Sequence, residues 1–299
     1  MSGWTAGGDC LYASYLKCDA AGMIIDLTIE QKTLGGPLPN SIGDLIKLTR
    51  LLLVNNDLTG SIPASITRLT NLVDLDINAN AFTGSLPASI GNLASLTHLA
   101  FHTTQLSGSI PTSIGNLTNV AYIGFTNNQM TGTIPSTIGA MTSLQIIQFL
   151  VNSISGSIPN SISSLSRLWY LGLTLTKLNG TLPSSLGKLL NLQTAYLDRN
   201  ELSGPILPSL GDLTRLKDLF LSSNRMEGSI PASLGSLTNL LYLSVSPCDY
   251  QVINLLMSGK EENYPARAKG GLFQTRGFVQ MRLFKIGHFG RFFVTTPGI

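Results

Sequence analysis

Apolar residues recur along this chain in fixed phase. Leu48, Leu72, Leu96, Val120, Leu144, Leu168, Leu192, Leu216 and Leu240 stand 24 residues apart. Three positions after each comes a second apolar residue, as at Leu51, Leu75, Leu99, Ile123, Ile147 and Leu171, and two further on a third, as at Leu53, Ile77, Phe101, Phe125, Phe149 and Leu173. A spacing of two marks a strand with those side chains on one face. Strands are therefore predicted near 50–54, 74–78, 98–102, 122–126, 146–150, 170–174, 194–198, 218–222 and 242–246, and Leu27 with Ile29 supply a tenth one period earlier. No single unit can bury this set alone, so neighbouring units must stack and the strands must run parallel.

Between the strands the punctuation is equally regular. Gly36, Gly60, Gly84, Gly108, Gly132, Gly156, Gly180, Gly204 and Gly228 keep the same 24-residue period without an insertion. Four positions before most of them stands an asparagine: Asn56, Asn80, Asn128, Asn152, Asn200 and Asn224, with Thr104 and Thr176 in the remaining two units. An amide side chain both donates and accepts, so a column of them can satisfy a buried turn's backbone. Threonine does less of this, and the two threonine units are expected to be looser. A proline follows three residues after most of the glycines, as at Pro63 and Pro111, fixing φ on the return path. One unit departs, with Leu207 in that slot and Pro208 beside it. Return segments such as 64–69 are short, which predicts one turn of helix or 3₁₀.

The unit from Leu48 to Pro63 matches the skeleton L-x-x-L-x-L-x-x-N-x-L-x-G-x-I-P. Runs such as L-T-G-S-I-P-A-S-I at 58–66 and L-S-G-S-I-P-T-S-I-G-N-L-T at 106–118 resemble the plant-type leucine-rich repeats of receptor-like kinases, receptor-like proteins and polygalacturonase-inhibiting proteins. The resemblance covers about residues 24–247. It implies an α/β solenoid: a right-handed superhelix with a parallel sheet on the concave face and short 3₁₀ or irregular segments on the convex face. Trp4, Cys10 and Cys18 resemble the family's N-terminal cap over residues 1–23, which implies a Cys10–Cys18 disulfide and leaves Cys248 odd. The family's paired C-terminal cysteines are not matched.

Composition narrows the function classes. Charged residues make up 12% of the 299, with Lys and Arg at 19 and Asp and Glu at 16. Ser, Thr, Asn and Gly supply the polar surface, as expected of a secreted recognition scaffold. Residues 248–299 form a basic aromatic tail, seven Lys and Arg against three acids, whose stretches Phe278 to Ile286 and Arg291 to Thr296 could pair as a hairpin. Neither a nucleic-acid nor a membrane surface is the leading reading of that tail. No apolar run approaches the roughly 20 residues that a bilayer requires, and no leader follows Met1. Extracellular or cell-surface placement therefore rests on the resemblance, with the chain read as a possible fragment.

Strand residues between the inward ones face the concave side. Tyr122, Ile146, Gln148, Leu150, Tyr170, Tyr196, Phe220 and Tyr242 fall there, and rigid aromatics of this kind are enriched at interfaces. They form the candidate ligand surface. His98 and His102, with Asp74 and Asp76 one unit earlier, form a second cluster. Four strand positions separate the histidines by roughly 13 Å, too far to share one metal ion, so a pH-sensitive polar contact is expected and no metal site. A third feature is a hydroxyl ladder beside the glycines, from Thr59 and Ser61 to Ser155 and Ser157, which an ice or sugar surface could use but which more simply satisfies backbone. Asn116 and Asn179 open N-x-T triplets that would be glycosylated on export.

No catalytic motif emerges. The nearest P-loop-like stretch, Gly180 to Lys188, has six intervening residues instead of four and Leu189 where a hydroxyl is needed. The leading expectation is a non-catalytic module that needs no cofactor and binds a peptide or protein, with a co-receptor as a further partner. A secreted inhibitor of a wall-degrading enzyme is the alternative, and a structural or ice-interacting wall protein the second.

Overall fold

A computed structural model describes residues 14–245 together with the strand backbones 279–286 and 289–295. Ten parallel strands, from Ile24–Thr28 through Arg50–Leu52, Asp74–Asp76, His98–Ala100, Tyr122–Gly124, Ile146–Gln148, Tyr170–Gly172, Thr194–Tyr196 and Asp218–Phe220 to Tyr242–Val245, pair in sequence order into one sheet. Each pairing is offset by one repeat, as in Tyr122↔Ile146 and Ile146↔Tyr170. The solenoid expected from the 24-residue period is thus the fold, although the middle strands hold three residues rather than five. Leu16–Cys18 adds an antiparallel strand at the start. At the other end Val279–Ile286 and Phe289–Thr295 pair with each other as a hairpin, and the first of them lies antiparallel to Tyr242–Val245.

The inward residues of all ten strands form one continuous core. Leu48, Leu51, Leu72, Leu75, Phe101, Phe125 and Phe149 have no exposure at all, and the three phenylalanines stack along the solenoid at 5.9 and 5.2 Å between rings. Return segments fold as 3₁₀ turns such as Ala64–Arg68 and Thr112–Asn116. The segment with Leu207 in the proline slot forms the same turn over Pro208–Asp212, because proline suits the first position of a helical turn. On this convex side adjacent coils approach closely: a Cβ at Gly115 would stand 2.5 Å from the Thr137 carbonyl oxygen. Thr67 occupies that column in one coil, packs its hydroxyl 3.1 Å from Ser89 Oγ, and the next 3₁₀ turn is shortened to Ile90–Asn92.

The asparagine column works as the sequence implies. Asn152 Oδ1 accepts the Met130 N–H at 3.0 Å, while its Nδ2 donates to the carbonyls of Phe125 at 2.8 Å and Phe149 at 3.0 Å. The threonine coils are not opened, contrary to the expectation. Thr104 and Thr176 are both buried, and each hydroxyl donates to the amide oxygen of the asparagine one coil later, Asn128 and Asn200. Threonine's single donor enters the column from below and is held there. Just before this column the backbone turns left-handed in every coil, at φ near +55° for Asn55, Val151, Leu175 and Ser223. That geometry lifts the chain off the concave sheet and into a second set of short strands.

That second set was not anticipated from the sequence. Gly35–Pro37, Asp57–Ser61 and Ala81–Thr83 form one small sheet, and Ser155–Gly156, Lys177–Thr181, Glu201–Gly204 and Arg225–Met226 another. The hydroxyl ladder lies along them. Ser107 Oγ donates to the Gly84 carbonyl at 3.3 Å and Ser155 Oγ to Gly132 at 3.2 Å.

Cys18 is disulfide-bonded, whereas Trp4, Cys10 and Cys248 lie outside the described residues. Asn116 and Asn179 are both exposed, the first ending a 3₁₀ turn and the second in a side strand.

Candidate functional site

On the concave sheet two side-chain columns face away from the core. One runs Arg50, Asp74, His98, Tyr122, Ile146, Tyr170, Thr194, Asp218 and Tyr242; the other includes Asp76, Ala100, Gly124, Gln148, Gly172, Tyr196, Phe220 and Ser244. Of the eight residues expected from the sequence, Tyr122, Ile146, Gln148, Tyr170, Tyr196, Phe220 and Tyr242 lie in these columns and are half-buried, while Leu150 lies just beyond the strand Ile146–Gln148. The rings therefore lie along the sheet rather than standing off it. Two glycines make this possible. A Cβ at Gly124 would meet His102 Nε2 at 2.2 Å and the Tyr122 hydroxyl at 2.9 Å, and one at Gly172 would meet the Tyr170 ring at 2.9 Å.

The structure divides the columns into two chemically distinct halves. In the first, the histidine cluster and Tyr122 form one network. His98 Nδ1 lies 2.9 Å from Asp74 Oδ1, and the His98 ring stacks on Tyr122 at 4.6 Å. The Thr126 N–H donates to His102 Nδ1 at 3.0 Å, so that nitrogen carries no proton and Nε2 carries it. His102 Nε2 then donates to the Tyr122 hydroxyl at 2.6 Å, which donates onward to Gln148 Oε1 at 2.7 Å. His102, Tyr122 and Gln148 each have the partner their neutral form needs.

Electrostatics agree with this assignment. Burial, and then the charge of His98, lower His102 from 6.5 to about 4. Burial foremost, with Asp76 next, pushes Tyr122 up to about 12. Burial also raises Asp76 against the opposing hydrogen bond from the Asn78 N–H. His102 and Tyr122 therefore stay neutral near pH 7 and hold position. Among the described residues, no group of three or more His, Cys, Asp or Glu comes together to hold a metal ion.

The second half is aromatic. Tyr170 and Tyr196 meet edge to face at 5.6 Å, Tyr196 and Phe220 tilt together at 4.9 Å, and Trp169 adds an edge contact to Tyr170 at 5.9 Å. Ile146 stands between the halves, in register with both Tyr122 and Tyr170. Sequence reading by residue type missed three positions here: Thr194, Asp198 and Asp218. Thr194 Oγ1 lies 3.0 Å from Asp218 Oδ2, and Thr174 Oγ1 lies 2.6 Å from Asp198 Oδ1. Counting every residue of the two columns, rather than its aromatic members, would have found Asp218 and Thr194.

The Leucine Rich Repeat family matches residues 47–69, 71–93 and 215–237. Among solved structures, the ectodomain of the receptor kinase GASSHO1/SCHENGEN3 from Arabidopsis thaliana, in complex with Casparian strip integrity factor 2, superposes with a TM-score of 0.75 at 32% identity, over 78% of this chain and 28% of that one. The Arabidopsis receptor kinase HAESA ectodomain, in complex with an IDA peptide hormone ligand, gives 0.70 at 31% identity, over 78% and 39% respectively. A plant ice-binding protein gives 0.59 at 26% identity, over 77% and 82%. This chain thus spans well under half of either receptor ectodomain. Among the described residues no helix is long and apolar enough to cross a membrane.

Proposed function

The chain is a leucine-rich-repeat protein of the plant type, and on that footing we propose that it is a non-catalytic recognition module holding a peptide or protein ligand along the concave sheet. The observation that carries this reading is the aromatic series Tyr170, Tyr196 and Phe220. Their rings are packed to one another at 4.9–5.6 Å yet lie outside the core, leaving preformed apolar faces half open. Ordering such rings costs little entropy on binding because neighbours already fix them. The receptor ectodomains above are complexed with their ligands and share this fold, which supports the same use here. Placement outside the cell, with a co-receptor as a further partner, follows from the same likeness and belongs to the proposal.

Within the hydroxyl ladder, Ser107 and Ser155 spend their donors on backbone carbonyls, which favours the structural role for those two positions over an ice-interacting one. Inhibition of a wall-degrading enzyme would use the same concave sheet and is the alternative identity of the partner.

A displayed library of linear peptides, selected on the full chain and counter-selected on the Tyr170→Ser, Tyr196→Ser, Phe220→Ser variant, tests the proposal. Peptides that bind the parent at micromolar Kd and the variant at least tenfold more weakly are expected, with the melting temperature of the two proteins within a few degrees. A selection that returns nothing, or peptides indifferent to the triple substitution, overturns it.

A further inference from the structure

The aromatic half of the concave face holds carboxylates that ring packing alone does not employ. Asp218 stands in register with Thr194 on one side and Tyr242 on the other. Its Oδ2 receives the Thr194 hydroxyl at 3.0 Å, a neutral donor that orients the carboxylate without cancelling its charge. None of the ion pairs among the described residues involves Asp218. Asp198, one coil earlier, is oriented in the same manner by Thr174 at 2.6 Å and has Arg199 Nε only at 3.8 Å.

These charges bear on the rings. After burial, Asp218 and then Asp198 raise the Tyr196 phenol, and Asp218 also acts on Tyr170. The rings do not lie parallel: Tyr196 meets Tyr170 at 74° and Phe220 at 56°. Their faces thus point in different directions around one patch bounded by carboxylates. Elsewhere on the sheet Asp76 accepts the Asn78 N–H at 2.9 Å, and two other acids have ion partners. Asp26 pairs with Lys17 at 3.2 Å, and Asp74 with Arg50 at 3.4 Å and His98 at 2.9 Å. Of the concave-face carboxylates without a close ion pair among the described residues, Asp198 and Asp218 flank the rings, while Asp76 lies in the histidine half.

We propose that Tyr170, Tyr196, Phe220, Asp198 and Asp218 form a subsite for a cationic side chain of a peptide ligand, an arginine whose guanidinium lies on the rings and pairs with Asp218. Aromatic faces attract cations through the ring quadrupole, and the attraction strengthens as water is removed. Arginine suits both surfaces at once, because its planar group stacks on rings while its edge offers two parallel donors to a carboxylate. Lysine satisfies the charge but not the stacking geometry. This inference deepens the recognition reading and rests on it, naming what the ligand must carry where the rings are.

The test uses the full chain with ¹³C-labelled tyrosine rings, titrated with N-acetyl-arginine methylamide and with its citrulline counterpart, which keeps the shape and lacks the charge. Arginine is expected to shift the Tyr170 and Tyr196 signals with an affinity at least tenfold above citrulline, and to weaken as salt rises. Asp218→Asn is expected to bring arginine down to the citrulline level while the Tyr122 signal and the melting temperature stay put. Equal affinity for the two probes, arginine shifts that spare Tyr170 and Tyr196, or full retention in Asp218→Asn each overturn the inference. If the peptide selection succeeds while arginine and citrulline bind alike, the subsite fails and the recognition reading stands. An empty selection beside arginine-specific shifts does the reverse: the cation site stands and peptide recognition falls.

Discussion

Replacing Asn152 by alanine removes one amide that serves the backbone of two coils. The amide accepts from Met130 and donates to Phe125 in the preceding coil, and it closes its own turn through Phe149. Asn152 is 9% exposed, so water cannot readily take its place. Leaving a buried N–H and a buried C=O unmet costs about 1–3 kcal/mol each, so the alanine variant should lose about 2–6 kcal/mol. Threonine sharpens the test. At Thr104 and Thr176 the hydroxyl is held by an asparagine one coil later, so threonine should be tolerated only below an asparagine. Asn56→Thr has Asn80 above it and should lose about 1 kcal/mol less than Asn152→Thr, which has Thr176 above it. Because a solenoid can open locally, urea midpoints should be read beside hydrogen exchange at the Met130 amide, which Asn152→Ala should accelerate far more than amides in coils near Asn56. A loss below about 1 kcal/mol, or equal costs for the two threonine variants, would refute this role for the column.

Two further outcomes follow from the histidine network. His102 binds a proton at about 4 in the folded chain against 6.5 for the free group, so between those values the unfolded state binds more protons. Its contribution is intact above 6.5 and is lost as pH falls towards 4. The shift alone corresponds to about 3 kcal/mol, which partial exposure reduces to about 1–2 kcal/mol; denaturation from pH 7 to 4 should show that loss, and His102→Gln should flatten the curve. Gly124→Ala should break the His102 to Tyr122 bond, since the new methyl would stand 2.2 Å from Nε2. Loss of the Tyr122 to His98 ring-current shift in proton spectra would report it, and an unchanged spectrum would count against the network.

The parts of this molecule legible in its sequence are those where one column does one job. Leucines at fixed phase can only face inward, and the asparagines before the glycines can only serve a buried turn, so strand order, stacking and the amide column follow from spacing. The side strands escaped because their residues, such as Thr59 and Ser203, have no apolar alternation; pairing there is imposed by the left-handed turn at positions like Asn55 and Arg199, where the residue types differ from coil to coil. The concave site was half legible for a related reason. Tyr170, Tyr196 and Phe220 declare themselves by type, but Gln148 and Tyr122 act through His102, which comes from a different repeat. Their relation depends on Gly124 leaving room for two rings to meet, and a glycine in a strand column reads as a gap until the neighbours on both sides are placed. Asp218 was hidden in the opposite sense: an acid beside a strand leucine looks like ordinary surface. Only its register with Thr194 and its action on Tyr196 and Tyr170 set it apart from the paired acids Asp26 and Asp74. In a solenoid the repeat fixes where every side chain stands, and chemistry arises where neighbouring coils break the repeat together.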